Sequence, residues 1–128
     1  MATILIAEAE GDIFDILRTR LENHGYTVLG ASDGAQALQA LRNEQNRVDL
    51  VITGVQMPKM NGLELGYQLR TEYPRLPVIY ISAYAAQNVV KRAWQLRNAQ
   101  VPEDFVFLML PFSEEELLHA VRTALVAG

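Results

Sequence analysis

Short apolar segments alternate with longer segments of helical periodicity along the chain, and this alternation restricts the fold more than any other feature. The apolar segments are rich in Val, Ile and Leu, and they lie at 3–7, 26–30, 49–53, 77–81 and 104–109. Strands that are apolar on both faces are typical of a parallel sheet covered by helices on each side. The pattern therefore predicts five successive βα units with right-handed crossovers.

The helical segments carry one apolar face and recognisable end signals. Helices are expected before His24-Gly25, over 32–46, 62–73 and 86–97, and from Ser113 onward. The first should bury Ile13, Ile16, Leu17 and Leu21. The last should bury Leu117, Leu118, Val121 and Leu125. Asp33 with Gln36, and Ser113 with Glu116, have the spacing of helix capping boxes.

Length and composition exclude several classes of protein. The 128 residues suit one domain spanning 1–128, and half of them are hydrophobic, which is enough for a sizeable core. The net charge of −4 and the dispersed acidic residues give no sign of a basic surface that would bind nucleic acid. The chain has no cysteine, and it has no basic leader or apolar run near the ~20 residues that span a bilayer. We expect a cytoplasmic protein that contacts neither nucleic acid nor membrane.

Several side chains follow the predicted strands at their carboxyl ends, where sites form in sheets of this kind. Glu8 and Glu10 follow the first strand, Gly54 the third, Ser82 the fourth and Leu110 the fifth.

Four segments in this order resemble the receiver domain of two-component response regulators. They are Ile4-Leu5-Ile6 before an acidic stretch, the loop Met57-Pro58-x-Met60-x-Gly62, the segment 77–83, and Pro111-Phe112 before the last helix. The resemblance covers residues 4–125. It implies a doubly wound (βα)5, flavodoxin-like three-layer α/β sandwich with a parallel sheet of order 2-1-3-4-5. It also implies a cis peptide bond between Leu110 and Pro111.

The resemblance further implies which groups a working receiver needs. These are an acceptor aspartate after the third strand, two acids that hold Mg²⁺, a hydroxyl after the fourth strand and a lysine after the fifth. This chain has Gly54 at the acceptor position, Glu8-Ala9 at the acid pair, Ser82 at the hydroxyl and Leu110 at the lysine.

These departures agree with one another. A lysine without an anionic partner would be an unpaired buried cation, and a second acid without a metal would add charge repulsion. We therefore expect a degenerate phosphorylation pocket and a protein that is not an enzyme. We expect no cofactor, and we expect that Glu8 and Glu10 bind Mg²⁺ weakly at most. A simpler interpretation makes Glu8, Glu10 and Asp12 a solvated acidic loop before a helix, and makes Ser82 a hydroxyl bonded to nearby backbone.

An interaction surface is expected on the face formed by the helix over 86–97, the fifth strand and the last helix. Its candidate residues are Tyr84, Val90, Trp94 and Phe107, the last at the position of the family's switch aromatic. An exposed Trp94 would be an interface anchor, and burial against 98–103 is the alternative. A homodimer through this face is one arrangement that it would allow.

The main hypothesis is a signalling module of the two-component phosphorelay type that has lost the aspartyl-phosphate site. It would act by phosphorylation-independent contact with a protein partner such as a histidine kinase or an output domain. The alternatives are a structural or dimerisation segment of a larger histidine kinase or response regulator, a receiver modified at a non-standard residue, and a flavodoxin-like cofactor-binding enzyme. The chain offers no glycine-rich loop for that last class.

Overall fold

The predicted strands form one parallel sheet in a computed structural model, which describes residues 2–43, 47–82, 92, 95 and 106–127. They are β1 (Thr3–Ala7), β2 (Thr27–Ala31), β3 (Leu50–Gly54), β4 (Val78–Ser82) and β5 (Val106–Met109). Their order is β2-β1-β3-β4-β5, which confirms the predicted topology. The order reverses at β1, whose two neighbours are β2 and β3, so a switch point lies at the carboxyl ends of β1 and β3.

The helices among the described residues are α1 (Gly11–Glu22), α2 (Gly34–Arg42), α3 (Gly62–Glu72) and α4 (Glu114–Ala127). Of the helix predicted over 86–97, only Arg92 and Gln95 are described, and both are helical and exposed. The remainder of that prediction lies outside the described residues. No helix in the described part of the chain is long and apolar enough to cross a membrane.

The capping box predicted at Ser113 is present, and Asp33 caps α2 as predicted, although Gln36 bonds back to Ser32 and not to Asp33. Asp33 Oδ1 accepts the N–H of Gln36 at 2.8 Å, and Gln36 Oε1 accepts the N–H of Ser32 at 2.9 Å. Ser113 Oγ accepts the N–H of Glu116 at 3.0 Å, and Glu116 Oε1 accepts the N–H of Ser113 at 3.1 Å. These bonds satisfy backbone donors that have no partner inside the first turn of a helix.

Two apolar layers hold the sheet between its helices. Alternate residues of β1 and β3 divide between them, with Ile4, Ile6 and Ile52 on one face and Leu5 and Val51 on the other. The first layer packs against α1 and α4, and the second packs against α2 and α3. Leu117, Leu118 and Val121 are buried as predicted, and Leu125 is partly buried against the first layer.

Several boundaries and one core residue differ from the sequence predictions. Ile16 is 49% exposed, because the phase of α1 places Phe14 beside Ile13, Leu17 and Leu21 on the buried side. The helix expected to reach residue 46 ends at Arg42, since Asn43 takes an extended backbone conformation. β2, β3 and β4 each begin and end one residue later than predicted, and α3 ends at Glu72.

Candidate functional site

A cleft of about 420 Å³ lies at the carboxyl edge of the sheet, beside the switch point. It is bordered by the residues after β1, the end of β3, the end of β4 and the residue after β5. Its lining includes Glu8, Glu10, Asp12, Gly54, Gln56, Ser82 and Leu110. The fold thus brings together the strand-end residues singled out from the sequence. Ala9 is exposed next to Glu8 and is not part of the lining.

The carboxyl group of Glu8 lies in the space that a side chain at position 54 would occupy. Gly54 is the buried last residue of β3. A Cβ atom built on Gly54 would stand 2.8 Å from Glu8 Oε1 and 3.1 Å from Glu8 Oε2. The two positions therefore compete for one volume, and Glu8 fills it because residue 54 is glycine.

Burial and hydrogen bonding change the pKa of the Glu8 carboxyl group in opposite directions. The residue is 7% exposed, and burial raises the pKa of its carboxyl group. Backbone N–H groups of Glu10 and Ala9 oppose this increase in pKa, and the charge of Glu10 adds slightly to it. The ion pairs of the described residues are Arg18–Glu22 and Arg42–Glu72, so no described cation compensates Glu8.

The raised pKa of Glu8 predicts a pH-dependent contribution to stability. A carboxyl group whose folded-state pKa is above the unfolded value binds more protons when folded. Its contribution is fully present below the ordinary value of 4.5, and it is lost as pH rises through the raised pKa. Glu8→Gln should therefore stabilise the protein near pH 7, with a gain that shrinks as pH falls toward that ordinary value.

Urea unfolding of both proteins between about pH 4 and pH 8 measures this difference. Asp15→Asn, which removes an exposed carboxylate from α1, is the control for a general change in net charge. A gain from Glu8→Gln that is constant over this range, or that grows in acid, would contradict the prediction.

Leu110 presents an apolar side chain to the cleft. It is half-buried and packs against the first core layer, which includes Ile81 and Leu117. Its N–H donates to the carbonyl oxygen of Ser82 at 2.7 Å, and the bond between Leu110 and Pro111 is cis, as the resemblance implies. Ser82 itself is buried at the end of β4. The carboxylate of Glu8 thus shares the cleft with a hydrocarbon side chain.

The loop from 55 to 61 closes one side of the cleft, and glycines hold it close to the sheet. The N–H of Gly62 donates to the carbonyl oxygen of Val55 at 3.0 Å, and the N–H of Gly34 donates to that of Met60 at 2.8 Å. A Cβ atom on Gly62 would overlap the carbonyl oxygen of Gly54. The sequence placed Gly62 only at the start of a predicted helix, because its close approach to Gly54 depends on how the loop folds back.

The cleft supplies few oxygen ligands for Mg²⁺ from its described side chains. This ion prefers octahedral oxygen coordination, usually from one or two carboxylates together with water and phosphate oxygens. Within the described ranges, no three Asp, Glu, His or Cys side chains are grouped so that they could hold a metal ion. Gly54 supplies no ligand atom, and Glu8 is directed into the space beside it.

Only one of the four candidate interface residues lies in the described part of the chain. Phe107 of β5 is paired in register with Tyr80 of β4, and it is partly buried against a small cluster formed by Tyr80 and Val55. Tyr84, Val90 and Trp94 lie outside the described residues. Met109, which the sequence did not single out, is 51% exposed at the end of β5.

A parallel sheet of order β2-β1-β3-β4-β5, helices on both of its faces and a cleft at the switch point define a doubly wound domain of the flavodoxin-like class. The family model described as "Response regulator receiver domain" matches residues 4–122. The chain belongs to this family, and it is a receiver domain of two-component signalling.

Relatives and solved structures agree with this assignment. The chain is 33% identical over 124 residues to the sensor kinase CckA of Brucella abortus (strain 2308), a match that covers 97% of this chain and 12% of that protein. It is 30% identical over 128 residues to the response regulator receiver protein CpdR of the same strain, covering all of both chains. The signal receiver domain of an HD domain-containing protein from Pseudomonas fluorescens Pf-5 superposes with a TM-score of 0.82 at 29% identity, over 98% of this chain and 87% of that one.

These matches also differ in how much of the relative they cover. The chain spans about an eighth of CckA and about a quarter of the transcriptional regulatory protein GlrR of Escherichia coli K12, but the full length of CpdR. A receiver domain thus occurs both as a part of longer signalling proteins and as a whole chain. Receiver domains interact with kinases and with output domains in such systems.

Proposed function

We propose that this receiver domain signals by protein–protein contact and does not form an aspartyl phosphate. The acceptor position inferred from the resemblance carries no side chain, and a phosphoryl group therefore has no carboxylate to bond to at the end of β3. The position of the paired lysine carries Leu110, which cannot neutralise a phosphoryl oxygen. The second metal-binding acid is replaced by Ala9, whose methyl group cannot coordinate a cation.

The position of the Glu8 carboxyl group, in the space of a side chain at residue 54, is the observation that carries this proposal. Glu8 Oε1 stands 2.8 Å from the place of the missing Cβ atom, so a carboxylate that would bind metal in a working receiver occupies the acceptor's volume instead. The charge of that carboxylate would also repel the oxygens of an approaching phosphoryl donor. Both effects support a cleft that holds a fixed state rather than one that cycles with phosphorylation.

Treatment with a small phosphodonor tests the proposal directly. The protein would be incubated with acetyl phosphate and Mg²⁺, and its intact mass would be measured beside that of a receiver domain that carries the acceptor aspartate. We expect phosphoryl addition to that control domain and none to this chain. Addition of one phosphoryl group to this chain, at any residue, together with a change in its amide NMR spectrum, would contradict the proposal.

A second candidate function is a structural or dimerisation role inside a larger histidine kinase or response regulator. The observation that favours it is the match to CckA, in which the region similar to this chain is only 12% of the protein. Sedimentation equilibrium of the chain, together with affinity capture of a kinase from the same cells, separates the two functions. A stable dimer that captures no kinase favours the structural role, whereas a monomer that captures one favours the signalling role.

A further inference from the structure

Another cleft lies at the opposite edge of the sheet, where the strands begin. It is formed by the ends of α2 and α3 and by the residues that lead into β3 and β4, and its volume is about 570 Å³. Small-molecule sites in proteins typically have volumes of roughly 300–1,000 Å³. This cleft is therefore large enough for a small organic ligand, and it is separated by the length of the strands from the cleft that contains Gly54.

The floor of the cleft is apolar. Its hydrophobic side chains are half-buried, and they are Leu41, Val48, Tyr73, Leu76 and Pro77. All of these except Pro77 pack against the second core layer, so the floor is continuous with the interior of the domain. A ligand with an aromatic or aliphatic body would remove this surface from water, which favours binding.

An ion pair and a hydrogen bond lie beside the cleft. Arg42 and Glu72 form a bidentate pair, with Arg42 Nη2 at 2.7 Å from Glu72 Oε2 and Arg42 Nε at 3.1 Å from Glu72 Oε1, and this pair links the ends of α2 and α3. Asp49 Oδ2 accepts the N–H of Thr3 at 2.8 Å. Asp49, the carboxylate among the described lining residues, thus already has a backbone partner.

Two cations stand at the rim of the cleft. Arg47 and Arg75 both line the cleft and are exposed. In the part of the chain that the structure describes, the ion pairs are Arg18–Glu22 and Arg42–Glu72, so neither rim arginine is paired with a carboxylate. A guanidinium group presents planar N–H donors that match the geometry of a carboxylate. Two arginines in the lining of a cleft with an apolar floor give it a charge complementary to an anion that carries an apolar body.

We propose that this cleft binds a small amphipathic carboxylate. The aromatic or aliphatic body of the ligand would lie on the floor between Leu41, Tyr73 and Leu76, and its carboxylate would accept hydrogen bonds from Arg47 and Arg75. This site does not depend on the state of the cleft at Gly54, so the proposal can be tested independently of the proposed function.

A pair of probes that differ only in charge tests the proposal by NMR. The ¹⁵N-labelled protein would be titrated with 4-phenylbutyrate and, separately, with the neutral 4-phenylbutanamide. We expect saturable shifts of the backbone amides of Val48, Asp49 and Leu76 with the carboxylate, and binding of the amide that is about 3- to 10-fold weaker, because exposed charge-assisted hydrogen bonds contribute modestly.

Arginine variants locate the anion. Arg47→Gln and Arg75→Gln should each weaken binding of 4-phenylbutyrate by about 3-fold or more, and both keep a side chain of similar length at an exposed position. Arg122→Gln, at an exposed position of α4 away from the cleft, is the matched control and should leave the affinity unchanged. Equal affinity for the two probes, unchanged binding in both rim variants, shifts confined to the cleft at Gly54, or no saturation up to about 10 mM would each overturn the proposal.

Discussion

Replacing Gly62 by alanine should destabilise the domain by about 3 kcal/mol, the upper end of the usual cost of overpacking. The added Cβ atom would overlap the carbonyl oxygen of Gly54, and it would stand 2.9 Å from the carbonyl carbon of Gly54 and 3.0 Å from Val55 Cα. All of these are backbone atoms, which cannot rotate away as the end of a side chain can. The hydrogen bond from the Gly62 N–H to the Val55 carbonyl oxygen, at 3.0 Å, further fixes the approach.

Gly11→Ala is the matched control for this substitution. Gly11 also begins a helix, but it is exposed and a Cβ atom there would meet nothing within 4 Å. Its replacement should leave the free energy of unfolding unchanged or raise it by up to about 1 kcal/mol, because alanine reduces the freedom of the unfolded chain. Urea unfolding measures both variants. A Gly62→Ala protein within about 0.5 kcal/mol of the unsubstituted chain would mean that the loop is not held against β3 as described.

The fold could be predicted from the sequence because its signals are local and repeated. Strands apolar on both faces indicate a covered parallel sheet, and the capping residues Asp33 and Ser113 mark where helices begin. Ile16 shows the limit of such signals. It fits the helical period of α1, yet it is 49% exposed, and Phe14 packs on the buried side instead. The packing of α1 against the sheet fixes which side of the helix is buried.

The candidate cleft could be predicted only in part. Parallel strands end at one edge of a sheet, so the sequence could predict that the residues at these strand ends line one cleft. These residues are Glu8, Gly54, Ser82 and Leu110. The direction of the Glu8 side chain does not follow, because it depends on the empty volume beside a residue 46 positions away in the sequence. The arginine-rimmed cleft was also not predicted, since its walls join the ends of α2 and α3, which are distant in the chain.

Restoring aspartate at position 54 alone should not restore efficient phosphorylation. The new side chain would enter the space that Glu8 Oε1 now occupies, 2.8 Å from the Cβ position. Glu8 can move, since its carboxyl group is the end of a flexible side chain, but the two carboxylates of Glu8 and residue 54 would then lie side by side in a cleft that Glu10 and Asp12 also line. No Lys or Arg is among the described residues that line it. Like charges so close disfavour ionisation of both, and the protonated form of aspartate is a poor nucleophile.

Restoring the other positions as well should change this result. We expect Gly54→Asp to gain phosphoryl mass only very slowly on incubation with acetyl phosphate and Mg²⁺. The triple variant Ala9→Asp, Gly54→Asp, Leu110→Lys should gain one phosphoryl group, at a rate at least on the order of 100-fold above that of Gly54→Asp. A factor of this size is typical when a charged group that stabilises a transition state is added or removed. Intact-mass measurements over time give both rates.

The decisive control keeps the restored charges and removes only the nucleophile. In the triple variant, asparagine in place of aspartate at position 54 preserves side-chain size beside Glu8 but cannot accept a phosphoryl group. A mass gain in that control would place the modification at another residue. If Gly54→Asp alone were phosphorylated as fast as the triple variant, then Ala9 and Leu110 would have no part in the loss. The three departures would then be independent substitutions, and the cleft would lack only its acceptor.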